Sequence, residues 1–226
     1  MLGLAFSGGK DSLACWYLYQ HENPIVIWIN TGKCYPETLK IVDEVKQQAK
    51  HFVEINVNQQ AYFEVNGIPS DVVPVNWTTL GMMITGQKDI KIHNYLECCW
   101  NNISKPLMDA AKDNGITRLI RGQRLDEDHK SPARNGSIID GIEYVQPIES
   151  WTKAEVLAYV KERRGSLPDH FSIDHSSLDC YDCTAFVKKS KDRVEYTKKH
   201  HPELYLAYKK NMDALKYVLK LENIDD

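Results

Sequence analysis

Two groups of residues in this chain have the types and spacing to do chemistry. The first is the run Ser7-Gly8-Gly9-Lys10-Asp11-Ser12, which follows the apolar stretch Leu2-Gly3-Leu4-Ala5-Phe6. Glycines let a backbone approach a ligand closely. Where a strand turns into a helix, successive N–H groups and the helix start face an anion together. Ser7 and Ser12 add hydroxyls, Lys10 adds a positive charge for phosphate, and Asp11 adds a carboxylate of the kind that holds a phosphate-bridging magnesium ion. The Gly-x-x-x-x-Gly-Lys spacing of the Walker loop is absent. A tight turn with incidental polar residues is the competing account, and six consecutive residues of this kind at a strand end speak against it.

The second group is Cys98-Cys99 with Cys180-x-x-Cys183, residues 100–179 lying between them. Four thiolates so placed suit an iron–sulfur cluster. Adjacent cysteines do not easily both point at one small ion, whereas a cubane offers four separate iron corners, so a single zinc suits them less. Two alternatives stay open: Cys98 and Cys99 as small buried hydrophobes, and Cys180 with Cys183 as a redox pair or half of a zinc site. Cys15 reads as core. Cys34 reads as a thiol bordering a nucleotide pocket, inert rather than a sulfur relay.

The elements that must position these groups follow from the rest of the pattern. The chain has 226 residues, 42% apolar and 26% charged, enough for one domain with a small appendage. A net charge of -3 gives the whole molecule no nucleic-acid footprint. No apolar run is long enough for a bilayer, and residues 1–6 are too short for a signal peptide, so a cytoplasmic, membrane-free protein is expected. Six cysteines in such a chain point to metal or redox chemistry rather than a disulfide framework.

Strands are predicted at 2–6, 24–29, 51–57 and 117–120, and helices at 11–21, 36–50, 103–114 and 151–164. The last opens on a Thr152/Glu155 capping box. Residues 137–140 and 143–145 read as a hairpin around Gly141, 58–97 as loops and short helices, and 121–136 as a polar surface loop. Alternating strands and helices argue for an α/β fold, a parallel sheet flanked by helices. The tail, 184–222, reads as helical. Between Lys188 and Lys220 it carries ten Lys/Arg against four Asp/Glu. Its stripe of Tyr205, Tyr208, Met212, Leu215 and Leu219 reads as core packing, and its basic face as solvated or as a contact with nucleic-acid phosphates.

The first run looks like the pyrophosphate loop of the adenine nucleotide alpha hydrolases, a Rossmann-like superfamily. Other segments resemble the phosphoadenosine phosphosulfate (PAPS) reductases within it. These are Trp28-Ile29-Asn30-Thr31-Gly32-Lys33-Cys34-Tyr35-Pro36-Glu37-Thr38, Pro147-Ile148 followed by Trp151-Thr152, Cys180-Tyr181-Asp182-Cys183-Thr184, and Arg121-Gly122-Gln123-Arg124, which stands where that family has an arginine-bearing nucleotide loop. The resemblance runs from Gly3 to about Thr184. It implies ATP held by Ser7, Gly8, Gly9, Lys10, Asp11, Ser12, Asn30, Thr31 and Gly32, magnesium at Asp11, and one [4Fe-4S] cluster on Cys98, Cys99, Cys180 and Cys183. It also implies a nucleotide-binding, cluster-bearing domain over 1–184, with a basic helical extension, 185–226, packed on it.

Two departures shape the functional expectation. Assimilatory reductases use a further cysteine near the C-terminus as nucleophile, and no cysteine follows Cys183 here. Their loops are often degraded, whereas this one keeps Lys10, Asp11 and both serines. An intact loop, a cluster and no tail cysteine resemble the ATP pyrophosphatase subunits of DNA phosphorothioation systems, the Dnd C-type and Ssp D-type subunits. That resemblance implies hydrolysis of ATP to AMP and pyrophosphate, a cysteine desulfurase as sulfur donor, and DNA, or else tRNA, as sulfur acceptor. Lys10 and the loop amides would hold the leaving pyrophosphate, and Arg121 and Arg124 the α-phosphate or the second substrate, with salt-bridged surface arginines as the competing account of that pair. The Asp126-Glu127-Asp128-His129 loop would be solvated or assist magnesium. The alternatives are a sulfonucleotide reductase that borrows its thiol and a non-catalytic nucleotide- or cluster-binding subunit.

Overall fold

The computed structural model describes residues 1–86, 89–127, 131–172, 178–186 and 190–222. Asp128 and His129 of the acidic loop and Lys188 of the tail lie outside these. In chain order the elements are β1 (Leu2–Phe6), α1 (Lys10–Tyr19), β2 (Ile25–Asn30), α2 (Pro36–Gln48), β3 (His51–Asn56), α3 (Gln59–Asn66), β4 (Ile68–Ser70), α4 (Thr79–Thr85), β5 (Ile92–Asn94), α5 (Tyr95–Cys99), α6 (Lys105–Asp113), β6 (Arg118–Ile120), β7 (Ile138–Ile139), β8 (Ile142–Val145), α7 (Lys153–Arg164), α8 (Lys191–His200) and α9 (Pro202–Leu221). The chain divides into two compact units. One comprises residues 1–30, 36–56 and 105–172, and the other 31–35, 57–104 and 173–226.

The first unit is built on a six-stranded sheet of order β3-β2-β1-β6-β8-β7, parallel except that β7 runs antiparallel to β8. β2 is a near-continuous apolar run whose four central residues are all buried, as expected of a parallel strand covered on both faces. α6 packs on β2 and β3, and α1 packs against β1 and α7. The capping box of α7 forms as predicted, with Gly165 ending the helix in the left-handed region. The predicted hairpin forms too, as β7 and β8, turning through Asp140 and Gly141 at φ 52° and 78°. The strand order reverses at β1. Its C-terminal end is therefore the topological switch point, where ligands of open α/β sheets bind, and the Ser7–Ser12 run begins there.

The second unit holds both cysteine pairs. β4 and β5 pair in parallel, Ile68 to Ile92 and Ser70 to Asn94, inside the stretch read as loops and short helices. Three-residue strands show no periodicity that a sequence reading can detect. α5 starts at Tyr95, capped by the Asn94 side chain, and runs on into a π-helical stretch, Trp100–Ser104. Cys98 and Cys99 thus sit on a helix that the sequence reading begins only at 103. The core joins Trp77, Ile92, Tyr208, Met212, Leu215 and Val218, with Tyr205 and Leu219 at its margin. The α9 stripe is core, as expected, with Val218 added to it.

Candidate functional site

The turn after β1 is closed by its own serines. The Ser12 hydroxyl donates to Gly9 O at 3.0 Å and accepts from Ser7 N at 3.2 Å, and Gly9 N donates to Ser7 Oγ at 3.3 Å. Gly8 has φ 79°, and a Cβ there would stand 2.8 Å from Thr38 Cγ2. Gly9 caps α1 without using a side chain, so the first-turn amides of α1 have no intrahelical acceptors and point out of the helix start.

A charged network covers that helix start. The Asp11 carboxylate accepts from Lys10 Nζ and from Arg124 Nε, each at 2.7 Å. Arg124 is buried and reaches Asp126 at 2.6 Å and Glu127 at 3.6 Å. The segment carrying Arg124 comes this close because Gly122 has no side chain. A Cβ at 122 would lie 2.6 Å from the Asp11 carbonyl carbon and 2.8 Å from Ser12 N. Glu127 is half-buried. Burial and the Asp11 charge push its carboxyl up to about 7, against the opposing pull of Arg124 and Lys10. It stands apart from its solvated neighbour Asp126, a distinction that a run of acidic letters cannot reveal.

Arg121 is half-buried over the Tyr144 ring, 5.8 Å from the centroid, and burial lowers its pKa. Among the described residues no carboxylate pairs with it. The Tyr144 and Glu127 charges oppose that fall, and a partly desolvated guanidinium with no carboxylate in direct contact is suited to an anion. Asn30, at the end of β2, donates to Glu54 at 3.2 Å.

Thr31 and Gly32 belong to the second unit. The buried Thr31 hydroxyl lies 3.9 Å from Cys180 Sγ and 4.0 Å from Cys34 Sγ, so this nucleotide-site candidate sits among the cysteines. Next to it, buried Lys33 pairs with buried Asp182, bonds Gln60 Oε1 at 3.0 Å and lies over the Phe63 ring at 4.2 Å. Lys33 and Asp182 carry no local pattern that marks them in the sequence, and only the fold pairs them.

Cys180 adopts a left-handed φ of 49°, and the turn closes with Cys183 N donating to Cys180 O at 2.9 Å. Such a conformation is uncommon for a side chain larger than glycine and has to be held by its surroundings. The Arg193 guanidinium holds it, donating to Cys183 O at 3.0 Å and Cys180 O at 3.4 Å. Thr184 donates to Pro69 O at 2.6 Å. Burial is the first cause of raised pKa in all four thiols. Cys98 is pushed up to about 12, with Cys99 and Cys183 adding to the rise. Cys99 is pushed up to about 11, with Cys183 adding, and Cys180 and Cys183 also move upward. The cysteines therefore feel one another across the two motifs. Among the described residues no group of three or more His, Cys, Asp or Glu is arranged to hold a single metal ion. Cys15 is fully buried, as expected of core, and Cys34 is half-buried, with burial raising it to about 11.

Among the described residues no helix is long and apolar enough to cross a membrane. Residues 2–186 match the family described as phosphoadenosine phosphosulfate reductase domain. An adenosine 5'-phosphosulfate reductase of Burkholderia cepacia is 25% identical over 193 residues, covering 81% of this chain and 69% of that protein. The crystal structure of a PAPS reductase from Candida auris in complex with phosphate superposes with a TM-score of 0.54 at 15% identity, covering 81% of this chain and 82% of the other. At that identity the likeness establishes the Rossmann-like fold.

Proposed function

Since the chain belongs to the phosphoadenosine phosphosulfate reductase domain family, we propose that it is an ATP pyrophosphatase of that family, splitting ATP to AMP and pyrophosphate for sulfur insertion, with DNA phosphodiesters as acceptor. The observation that carries this reading is the complete turn at the β1 switch point, with Lys10, Asp11 and Arg124 gathered on the start of α1. A sulfonucleotide has no β–γ pyrophosphate for such a loop to grip, whereas ATP has one and releases it.

In the reaction water attacks the α-phosphorus, the bond from that phosphorus to the bridging oxygen breaks, pyrophosphate leaves with the bonding electron pair, and the proton of the water passes to solvent. The first-turn amides of α1 and Lys10 stabilise the charge that develops on the leaving group. Arg121, half-buried and with no carboxylate in direct contact, binds the α-phosphate. Asp11 and Glu127 offer carboxylate oxygens, the donor type that magnesium takes, and a nearby cation would lower the raised Glu127 carboxyl.

Cys98, Cys99, Cys180 and Cys183 would hold a [4Fe-4S] cluster. The donor set fits, because Cys98 and Cys180 are buried, Cys99 and Cys183 half-buried, the thiols of the two motifs feel one another's charge, and amide N–H groups are directed at two of the sulfurs. Such a cluster, when bound, supplies one-electron transfer. A cysteine desulfurase as sulfur donor and a cytoplasmic setting complete the proposal.

The second reading is a sulfonucleotide reductase that uses an external thiol, favoured by the B. cepacia relative. One experiment separates the two. Protein purified without air is incubated with ATP and magnesium and assayed for AMP and pyrophosphate, and in parallel with sulfonucleotide and thioredoxin and assayed for sulfite. Pyrophosphate without sulfite supports the pyrophosphatase. Sulfite without pyrophosphate replaces it with the reductase. Nucleotide binding with neither product leaves a non-catalytic subunit.

A further inference from the structure

Gln59 opens α3 and is almost wholly buried, at 2% exposure. Its side-chain amide lies between the two cysteine motifs. Nε2 donates to Cys180 Sγ at 3.4 Å and to Cys98 Sγ at 3.8 Å. The helix start that carries it is fixed from both sides. Asn58 caps it, accepting from Ala61 N at 3.0 Å. Gln60 holds Lys33 at 3.0 Å, and Lys33 in turn pairs with Asp182, between Cys180 and Cys183. A second buried amide, Asn102 in the π-helical stretch, donates to Cys98 Sγ at 3.7 Å while anchored on Cys98 O at 2.9 Å.

The other end of the Gln59 amide is what makes this placement informative. Oε1 is buried and has no hydrogen-bond partner among the described residues. An orphaned carbonyl oxygen carries a desolvation cost that methionine, of similar length, would avoid. The polar side chain is therefore explained by its N–H groups rather than by packing. With both sulfurs as cluster-ligating thiolates, the reversed amide would set its oxygen against two negative atoms and leave the N–H donors unmatched.

We propose that Gln59 is a positioning and tuning residue of the cysteine site, one amide bridging a thiolate from each motif and raising the reduction potential of the cluster they hold. The inference rests on the cluster reading above. Hydrogen bonds to thiolate sulfur withdraw charge and favour the reduced, more negative form of an iron–sulfur centre. Asn102 acts on Cys98 alone, so its share is smaller.

The test is a redox titration of the anaerobically purified protein, followed by electron paramagnetic resonance, for wild type, Gln59→Met and Asn102→Leu. Gln59→Met is expected to disfavour reduction by about tenfold, which for a one-electron couple is about 59 mV more negative, with a smaller shift for Asn102→Leu. A Gln59→Met protein with its cluster intact and its potential unchanged overturns the proposal. Should Gln59→Met fail to retain iron, the wild type carrying 15N in its glutamine side chains decides. A 15N coupling to the reduced cluster in pulsed spectra supports the bridge, and its absence overturns it. A wild type that binds no cluster at all sinks the cluster reading instead, a result distinct from a loaded cluster of unshifted potential.

Discussion

The two candidate regions handle polar groups in opposite ways. At the start of α1 full charges of both signs meet: Lys10 and Arg124 share the Asp11 carboxylate, and Glu127 waits with its proton close to neutrality. Around the cysteines, the groups directed at sulfur are neutral, the Gln59 and Asn102 amides and the Thr31 hydroxyl, while Arg193 is spent on carbonyls and Lys33 on Asp182. The first arrangement suits a ligand that arrives and leaves with several charges, since an ion pair can be exchanged for a phosphate contact at modest cost. The second suits a group that stays, because buried donors are worth most when nothing has to be desolvated again.

That contrast can be broken most directly at Lys10. Lys10→Ala is expected to lower pyrophosphate release by roughly 100- to 1000-fold, the usual range for losing one charge-stabilising donor, while leaving iron content unchanged. Steady-state assay beside iron analysis checks both, and a parallel loss of iron would show that the two regions do not act separately. Cys180→Ser should do the reverse. Most of the iron is lost on purification, while binding of a fluorescent ATP analogue persists within about threefold, an effect below ~1 kcal/mol.

Further down in effect, Leu215→Ala removes a fully packed side chain from the Trp77–Met212 core and should cost about 2–5 kcal/mol by denaturant unfolding. The smallest effect sharpens the charged side of the contrast. Because the Glu127 carboxyl is raised to about 7 in the folded chain, the folded state keeps a proton that the unfolded chain has released between the ordinary carboxylate value and 7. Stability should therefore fall as pH rises across that interval. Glu127→Gln should flatten the slope, as read from thermal unfolding in a pH series without magnesium or nucleotide.

How far the sequence reveals these features depends on how local their causes are. The turn after β1 is legible because its serines, glycines and helix start all lie within six residues. The α7 capping box and the Asp140–Gly141 hairpin are legible for the same reason. β4 and β5 escape because each is three residues long and finds its partner far along the chain. Gln59 and Lys33 escape more completely. Their partners at Cys180 and Asp182 lie 121 and 149 residues away, and a lone glutamine or lysine carries no pattern of its own. The same distance explains Thr31. Its position after β2 suggests nucleotide, and only the fold brings it beside Cys180.

The way the second unit is pieced together has a consequence for the order of events during synthesis. Cys98 and Cys99 emerge from the ribosome with Gln59 and Asn102 already made, yet residues 100–179 must follow before Cys180 and Cys183 exist. At translation rates of about 5–20 residues per second this interval is on the order of ten seconds. For that time Cys98 and Cys99 exist without the second motif. The cysteine site can therefore be completed only late, once Cys180, Cys183 and the Arg193 that holds their turn have been made.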